Sequence, residues 1–362
     1  MALDFNELLR YVVEQRGSDL HVKVGSPPHV RVDGRLHIAP FDAVSPEDAE
    51  RMAFAILPKR LADEFESGNE ADFAFGIAGL GRFRVNIYRQ RGTVGLVFRR
   101  VLTGTPSFRD LALPPVVERL SDEPRGLILV TGPTGSGKTT TIAAMIDHIN
   151  RNRAVNIVTI EDPIEVLHPD KKAIVNQREI GTDTNDYAQA MRRVLRQDPD
   201  VIFIGEMRDP ETVWAALAAA ETGHLVLSTL HTTDATETVN RIVDFFPPFQ
   251  QKQVRLSLAA ALRGVMSQRL LERADGDGRV PAVEVLVVTG RVFDRVVDPE
   301  GGDASIEEII AEGEYYGMQT FDQSLFNLYK EGLVSLRDAL ANSSHPHDLR
   351  LALQQAGLST TT

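Results

Sequence analysis

Gly132-Pro133-Thr134-Gly135-Ser136-Gly137-Lys138-Thr139 satisfies every fixed position of the phosphate-binding pattern G-x-x-x-x-G-K-[ST]. Its glycines let the backbone turn N–H groups toward a polyphosphate, and a helix beginning at the loop adds partial positive charge. Lys138 would reach the β- and γ-phosphates, Thr139 would ligate Mg²⁺ through its hydroxyl, and Thr140 completes the binding run. Hydrolysis of the γ-phosphate also needs a carboxylate for the metal, an oriented water, and cations where charge gathers. Glu206 suits the first task. Glu165 is the first choice for orienting or deprotonating the water, with Glu161 second, because both flank the stiff Pro163. His224 and His231 bracket one apolar strand and leave it at opposite ends. As γ-phosphate sensors they gain weight from the nearby hydroxyls of Thr229, Thr232 and Thr233.

These groups need strands to hold them. Gly126-Leu127-Ile128-Leu129-Val130 is an apolar run suited to a strand buried on both faces, and Ile142, Met145, Ile146 and Ile149 then recur at helical spacing. The glycine loop therefore lies between a strand end and a helix start. Val155–Ile160 leads into Glu161-Asp162-Pro163-Ile164-Glu165, Val201–Ile204 into Gly205-Glu206-Met207-Arg208-Asp209, and Leu225–Leu227 into the hydroxyl-rich run ending at Thr233. Strands alternating with helices predict a parallel sheet, whose ligands gather at the strands' carboxyl ends.

Before this core the pattern is α+β. Phe5, Leu8, Leu9, Val12 and Val13 form the apolar stripe of a helix ending at Gly17; Leu20–Val24 and Val30–Ile38 are extended, with Asp33-Gly34 turning the second. Ser45-Pro46-Glu47-Asp48 starts a helix, and Phe83, Val85 and Ile87 alternate with Arg82, Arg84 and Asn86 in a strand. Domains are expected at 1–102 and 119–290, joined by a linker at 103–118 and followed by a helical region at 291–362. Val254, Leu258, Ala261, Leu262, Val265 and Leu270 suit one helical face across Gln250–Leu271. Asp275-Gly276-Asp277-Gly278 reads as a turn rather than a calcium loop, since Arg279 and Leu286 occupy ligand positions.

With 362 residues, 43% of them hydrophobic and none cysteine, the chain has the composition of an ordinary multidomain globular protein without disulfides or thiolate metal sites. The N-terminus lacks the order of a signal peptide, and no apolar run is long enough to span a bilayer. Net charge is −12, with 14 basic and 14 acidic residues in positions 1–105 and 25 against 37 beyond. That balance argues against nucleic acid as a partner and disfavours a translocase.

GPTGSGKTT, TIEDPIE, NQREIG, DPDVIFIGEMRD and ETGHLVLSTLHTTDA occur in this order, with GSDLHV near the start and GMQTFDQSL near the end. Together they resemble the type II/type IV secretion ATPase superfamily, and within it the PilT-like retraction ATPases of type IV pili. The resemblance implies an α/β chain with an N-terminal PAS-like α+β domain, a RecA-like P-loop NTPase core and a helical C-terminal extension. It also implies a homohexamer that uses ATP and Mg²⁺. This ring would lie in the cytoplasm at the inner face of the membrane, without inserting, against an inner-membrane platform protein and optionally a paralogous pilus ATPase. Its general base falls on Glu165, its Walker B glutamate on Glu206 and its histidine box on His224 and His231. Arginines that the family sends toward the phosphates fall on Arg84 and Arg99. Retraction is preferred over extension because the long N-terminal extension and cysteine-rich insertion of assembly ATPases are missing. Where retraction ATPases carry an Ala-Ile-Arg-Asn-Leu-Ile motif, this chain reads Thr289-Gly290-Arg291-Val292-Phe293-Asp294-Arg295-Val296. The alternatives are therefore an auxiliary or hydrolysis-poor ring subunit and an assembly or secretion ATPase.

Overall fold

The computed structural model describes residues 4–32, 34–276 and 278–358; Asp33 of the expected Asp33-Gly34 turn, Asp277 of the Asp275–Gly278 turn and the first three residues lie outside these. The chain divides into two units. One comprises residues up to Gly104 together with Pro163–Leu167, the other Thr105–Asp162 and the residues from His168 onward.

In the first unit, Asp4 caps α1 (Phe5–Glu14) by accepting from the Asn6 N–H. Then come β1 (Asp19–Lys23), β2 (His29–Val32), β3 (Arg35–Ile38), α2 (Pro46–Ile56) and α3 (Lys59–Gly68). The long strands β4 (Glu70–Ile77), β5 (Gly81–Gln90) and β6 (Thr93–Arg100) follow, with the short β7 (Leu102–Thr103). Ser45 starts α2 by accepting from the Asp48 N–H, with Pro46 in its first turn. The sheet has the order β3-β2-β1-β6-β5-β4 with antiparallel pairs throughout. Phe83, Val85 and Ile87 of β5 join Leu96 and Phe98 of β6, Leu20 and Val22 of β1, and the inner faces of all three helices in one core. Strand alternation places Arg84 and Arg99 across from each other on β5 and β6. β7 pairs in parallel with the strand Val166–Leu167, which brings the 163–167 segment into this unit.

The second unit opens with α4 (Val116–Ser121), β8 (Gly126–Thr131), α5 (Lys138–Asn152) and β9 (Asn156–Glu161). After β10, the Val166–Leu167 strand, come β11 (Ile174–Glu179), α6 (Tyr187–Val194), β12 (Val201–Ile204), α7 (Pro210–Glu221), β13 (Leu225–Leu230) and α8 (Ala235–Asp244). Then α9 (Pro248–Ala261) leads to β14 (Leu262–Glu272) and β15 (Arg279–Val287). Helices α10 (Gly290–Val297), α11 (Ile306–Ala311), α12 (Phe321–Lys330), α13 (Leu336–Asn342) and α14 (Pro346–Gln355) complete the unit.

Its sheet has the order β11-β9-β12-β13-β8-β14-β15, parallel as far as β14 and closed by antiparallel β15. Alternate residues of one strand enter different cores. Leu127, Leu129, Ile202, Ile204 and Val226 face α6 to α9, whereas Ile128, Val130, Val201, Phe203 and Leu227 face α4 and α5. The strands are therefore apolar on both sides, as a parallel sheet covered by helices requires. This is the architecture expected of a RecA-like P-loop core. The last helices pack on Leu271, Val280 and Ala282 at the β14–β15 end of the sheet.

Two expectations change. The stretch 105–118 is not wholly a linker, because Leu113, Val116 and Val117 are buried in the second unit's core. The helical face assigned across Gln250–Leu271 ends at Ala261, and the rest is β14. Its Leu262 and Val265 face one core and Met266 the other, so the apolar run reflects a two-sided strand. Gly264 was the available signal. A Cβ there would meet Leu120 Cδ1 at 2.9 Å and the Leu286 carbonyl at 3.1 Å, a close approach that marks a strand more than a helix interior.

Glu284 of β15 ties the sheet to α8, since its Oε1 accepts the Ala235 N–H at 2.8 Å. Burial, more than the opposing Ala235 bond, pushes its carboxyl up to about 7 from 4.5. A raised carboxyl contributes its stability fully below about pH 4.5, and that contribution is lost as pH rises through about 7, amounting to at most about 3 kcal/mol. Glu284→Gln keeps the acceptor and cannot ionise. The stability difference between variant and parent in urea melts should therefore move in the variant's favour from pH 4.5 to pH 8; a difference that stays flat would refute the assignment.

Candidate active site

The glycine loop joins the end of β8 to the start of α5. Gly132 has φ 138°, and a Cβ there would lie 2.4 Å from the Gln268 carbonyl of β14, so only glycine lets the chain pass. Gly137 stands at the α5 N-cap with φ 94° and no side-chain cap, which leaves the first-turn N–H groups for another acceptor. Lys138 is 9% exposed, and its Nζ donates to the carbonyls of Gly132 at 2.7 Å and Pro133 at 3.0 Å. Thr139 is half-buried and Thr140 exposed on the first turn of α5. Beside the loop lies a cleft of about 440 Å³, between Pro133–Ser136, Thr233, Arg269 and the Ala341–Ser343 segment.

Register brings three further groups to this level. Thr131 pairs with Leu230, Ser228 with Ile204, and Ile204 with Ile160, so His231, Glu206 and Glu161 emerge from aligned strand ends. His231 links the loop to the carboxylate: its Nδ1 lies 3.4 Å from Lys138 Nζ and its Nε2 lies 3.2 Å from Glu206 Oε1. An ammonium can only donate, so Nδ1 accepts and Nε2–H donates to Glu206. Arg208 Nη2 approaches Glu206 Oε2 at 2.7 Å. Burial would raise the Glu206 carboxyl, but the hydrogen bond and charge of Arg208, with His231, hold it below the usual carboxylate range. Glu161 is 7% exposed and accepts from Thr159 Oγ1 at 2.6 Å and Gln177 Nε2 at 3.0 Å. Thr229 Oγ1 donates to the Gly205 carbonyl at 2.7 Å.

Other candidates are placed elsewhere. His224 precedes β13 at its amino end, where its ring nitrogen meets the Ala219 carbonyl at 2.9 Å; within one chain it is separated from His231 by the whole strand. The two histidines thus leave opposite ends of β13, as the sequence pattern indicates. Glu165, Arg84 and Arg99 belong to the first unit. There Arg84 Nη1 lies 3.7 Å from Glu165 Oε1, and Arg99 Nε donates to Asp19 Oδ1 at 2.8 Å. Asp19 is buried, which opposes ionisation, but the Arg99 hydrogen bond and Ser18 hold it below its ordinary value.

Tyr187, which sequence reasoning did not single out, packs into the corner between β9 and β12. A Cβ on Gly205 would lie 2.9 Å from its hydroxyl. Burial first, then the charges of Asp162 and Glu206, raise its phenol well above the ordinary value, so it stays protonated. Arg208, which grips Glu206, also received no role from the sequence. Its position two residues after the carboxylate was the only signal.

Comparisons with known proteins bear on the same segments. The sequence profile of the type II/IV secretion system protein family matches residues 111–317. The type IV pilus retraction ATPase PilT of Pseudomonas aeruginosa is 42% identical over 346 residues, covering 96% of this chain and 100% of its own length. The type IV pilus ATPase PilU of the same organism is 40% identical over 352 residues, covering 97% and 92%. The crystal structure of the pilus retraction motor PilT with bound ADP is 45% identical, with a TM-score of 0.86 over 96% of this chain and 98% of that one. None of the helices among the described residues is long and apolar enough to cross a membrane.

Replacing Arg208 with Ala leaves burial to act on Glu206 with only His231 opposing it. The Glu206 carboxyl should then titrate higher than in the parent, read from the carboxyl carbon shift of ¹³C-labelled glutamate; an unmoved titration would show that Arg208 is not what holds it.

Proposed function

Because the chain belongs to the type II/IV secretion system protein family, we propose that it is an ATP-hydrolysing motor that powers type IV pilus retraction. The observation that carries this reading is the continuous link from Lys138 through His231 to Glu206 at the carboxyl ends of β8, β13 and β12. One buried cation for the phosphates, one carboxylate and one imidazole between them form a constellation able to register whether a γ-phosphate is present. The near-complete coverage of both the pilus retraction ATPase and the ADP-bound motor supports assigning this chemistry to retraction.

ATP would lie with its phosphates against the glycine loop and Lys138. Thr139 and Glu206 would supply hard oxygen donors at the same edge of the sheet, on either side of β13, and Glu206 is kept ionised, a donor set suited to Mg²⁺. The charge such a metal supplies when bound would offset that of the phosphates. Glu165, or failing it Glu161, orients the attacking water. Arg84 and Arg99 of a neighbouring subunit supply positive charge, and the active form is a homohexamer at the cytoplasmic face of the inner membrane. Force passes to a platform protein as the two units turn against each other.

A second reading is a PilU-like auxiliary motor working with a paralogue. It is favoured by the comparable identity to PilU and by α10 with its N-cap Thr289, where Thr289–Val296 replaces the retraction motif. Its Val292 and Val296 are buried while Arg291 pairs with Glu312 at 2.8 Å, so the helix is well anchored despite its different sequence.

Steady-state hydrolysis with purified protein separates the roles. Lys138→Ala should weaken ATP binding about 10- to 100-fold, the value of a lost charge-assisted contact. Glu165→Gln should lower kcat about 10²- to 10⁴-fold with binding retained. Undiminished turnover in the latter moves the base to Glu161. In cells, deletion should raise pilus number and abolish twitching; normal twitching with an active paralogue present would favour the auxiliary role.

A further inference from the structure

His231 is half exposed, so its contacts with Lys138 at 3.4 Å and Glu206 at 3.2 Å are open to competition from water. The next residue is held firmly. Thr232 is 5% exposed, and its hydroxyl lies 2.6 Å from Thr238 Oγ1 on α8, which is itself fully buried. Thr238 Oγ1 donates to the Asp234 carbonyl at 2.6 Å and stands 3.5 Å from Thr131 Oγ1, at the very end of the glycine-loop strand. Thr131 in turn donates to Ser267 Oγ of β14 at 2.9 Å.

A threonine that bonds the carbonyl one turn back within its helix needs no special explanation. The remaining contacts do, because buried hydroxyls arrive from α8, β8, β14 and the segment after β13. A hydroxyl has one proton and two lone pairs. Thr238 gives its proton to Asp234, so the short contact must be donated by Thr232. With Thr232 drawn inward and the following Thr233 tied to Glu237 through its N–H and hydroxyl, both at 2.7 Å, the chain at 231 has little freedom. Exposure alternates along this stretch, with His231 exposed, Thr232 buried and Thr233 exposed, so an inward Thr232 goes with a His231 that faces outward to the site.

We propose that Thr238 is a positioning residue for ATP hydrolysis, which anchors Thr232 beside the end of the glycine-loop strand and thereby holds His231 between Lys138 and Glu206. The proposal deepens the ATPase reading and rests on it for its kinetic consequence. Thr131 is the point at which the loop strand can feel this anchor: its proton can serve Ser267 or turn to Thr238, so a shift of the loop with bound phosphate reaches the histidine segment through one hydroxyl rotation.

The test compares Thr238→Val, which keeps the shape and removes the hydroxyl, with Thr238→Ser, which keeps the hydroxyl, and with Thr232→Val, which removes the partner. Thr238→Val should lower kcat about tenfold, the effect of one hydrogen bond in the transition state, with KM for ATP changed less than about twofold. Thr232→Val should do the same, and Thr238→Ser should restore most of the loss. The ¹⁵N imidazole signals of His231, read without nucleotide, should shift or broaden in both valine variants and not in the serine variant. Parent-like kcat and imidazole signals in Thr238→Val would overturn the proposal, as would a serine variant as impaired as the valine one, which would assign the effect to packing of the methyl group. A parent protein that hydrolyses no ATP would defeat the ATPase reading, while the imidazole signals would still decide whether Thr238 holds His231.

Discussion

Parallel strands buried on both faces end here at one level, and the candidate active site depends on that alignment. β8, β13, β12 and β9 are locked side by side through Thr131–Leu230, Ser228–Ile204 and Ile204–Ile160. Each strand end therefore delivers one part of the site without long loops to order. The glycine loop leaves β8, His231 leaves β13, Glu206 leaves β12 and Glu161 ends β9. A one-residue slip of any strand would reverse which face its apolar side chains occupy, so the cores that stabilise the sheet also fix the registration of the chemistry.

The charged groups at that level are held in pairs, as burial demands. Lys138 is satisfied by two carbonyls of its own loop, Glu206 by Arg208 and His231, and Glu161 by Thr159 and Gln177. A group already bonded is a group that can exchange partners when a phosphate arrives. The ionised state of Glu206 is the outcome of competing effects, with burial opposing it and two neighbouring cationic or proton-donating groups prevailing. Glu284, deeper and bonded to an amide N–H in place of a guanidinium, shows the reverse outcome.

The first unit presents its basic residues from an antiparallel strand pair whose other face is core. Arg84 and Arg99 are neighbours across β5 and β6 because Phe83, Val85 and Phe98 must point inward. Each has an acidic partner of its own, Glu165 for Arg84 and Asp19 for Arg99. The crossing of Pro163–Leu167 into this unit means that the acidic box beginning at Glu161 is divided between two bodies.

The glycine loop, the apolar strands around it and the order of the acidic and histidine boxes were legible in the residues alone, because these features depend on local backbone needs and on short-range periodicity. The α2 cap and the alternation of β5 were legible for the same reason. What the chain alone left open were matters of long-range pairing. The run from Gln250 to Leu271 has the same apolar spacing whether it continues as a helix or changes to β14, and only its place between β8 and β15 selects the strand. Likewise, Tyr187, Arg208 and Thr238 are unremarkable in sequence. Arg208 acquires its meaning from Glu206 in the same loop, and the other two from partners on other elements, 18 residues away for Tyr187 and Gly205 and 107 for Thr238 and Thr131. Composition and spacing thus determined the kind of chemistry and the strands that carry it, whereas the partners of each charge and hydroxyl were decided by packing, since hydrogen bonds and burial act through space and not along the chain.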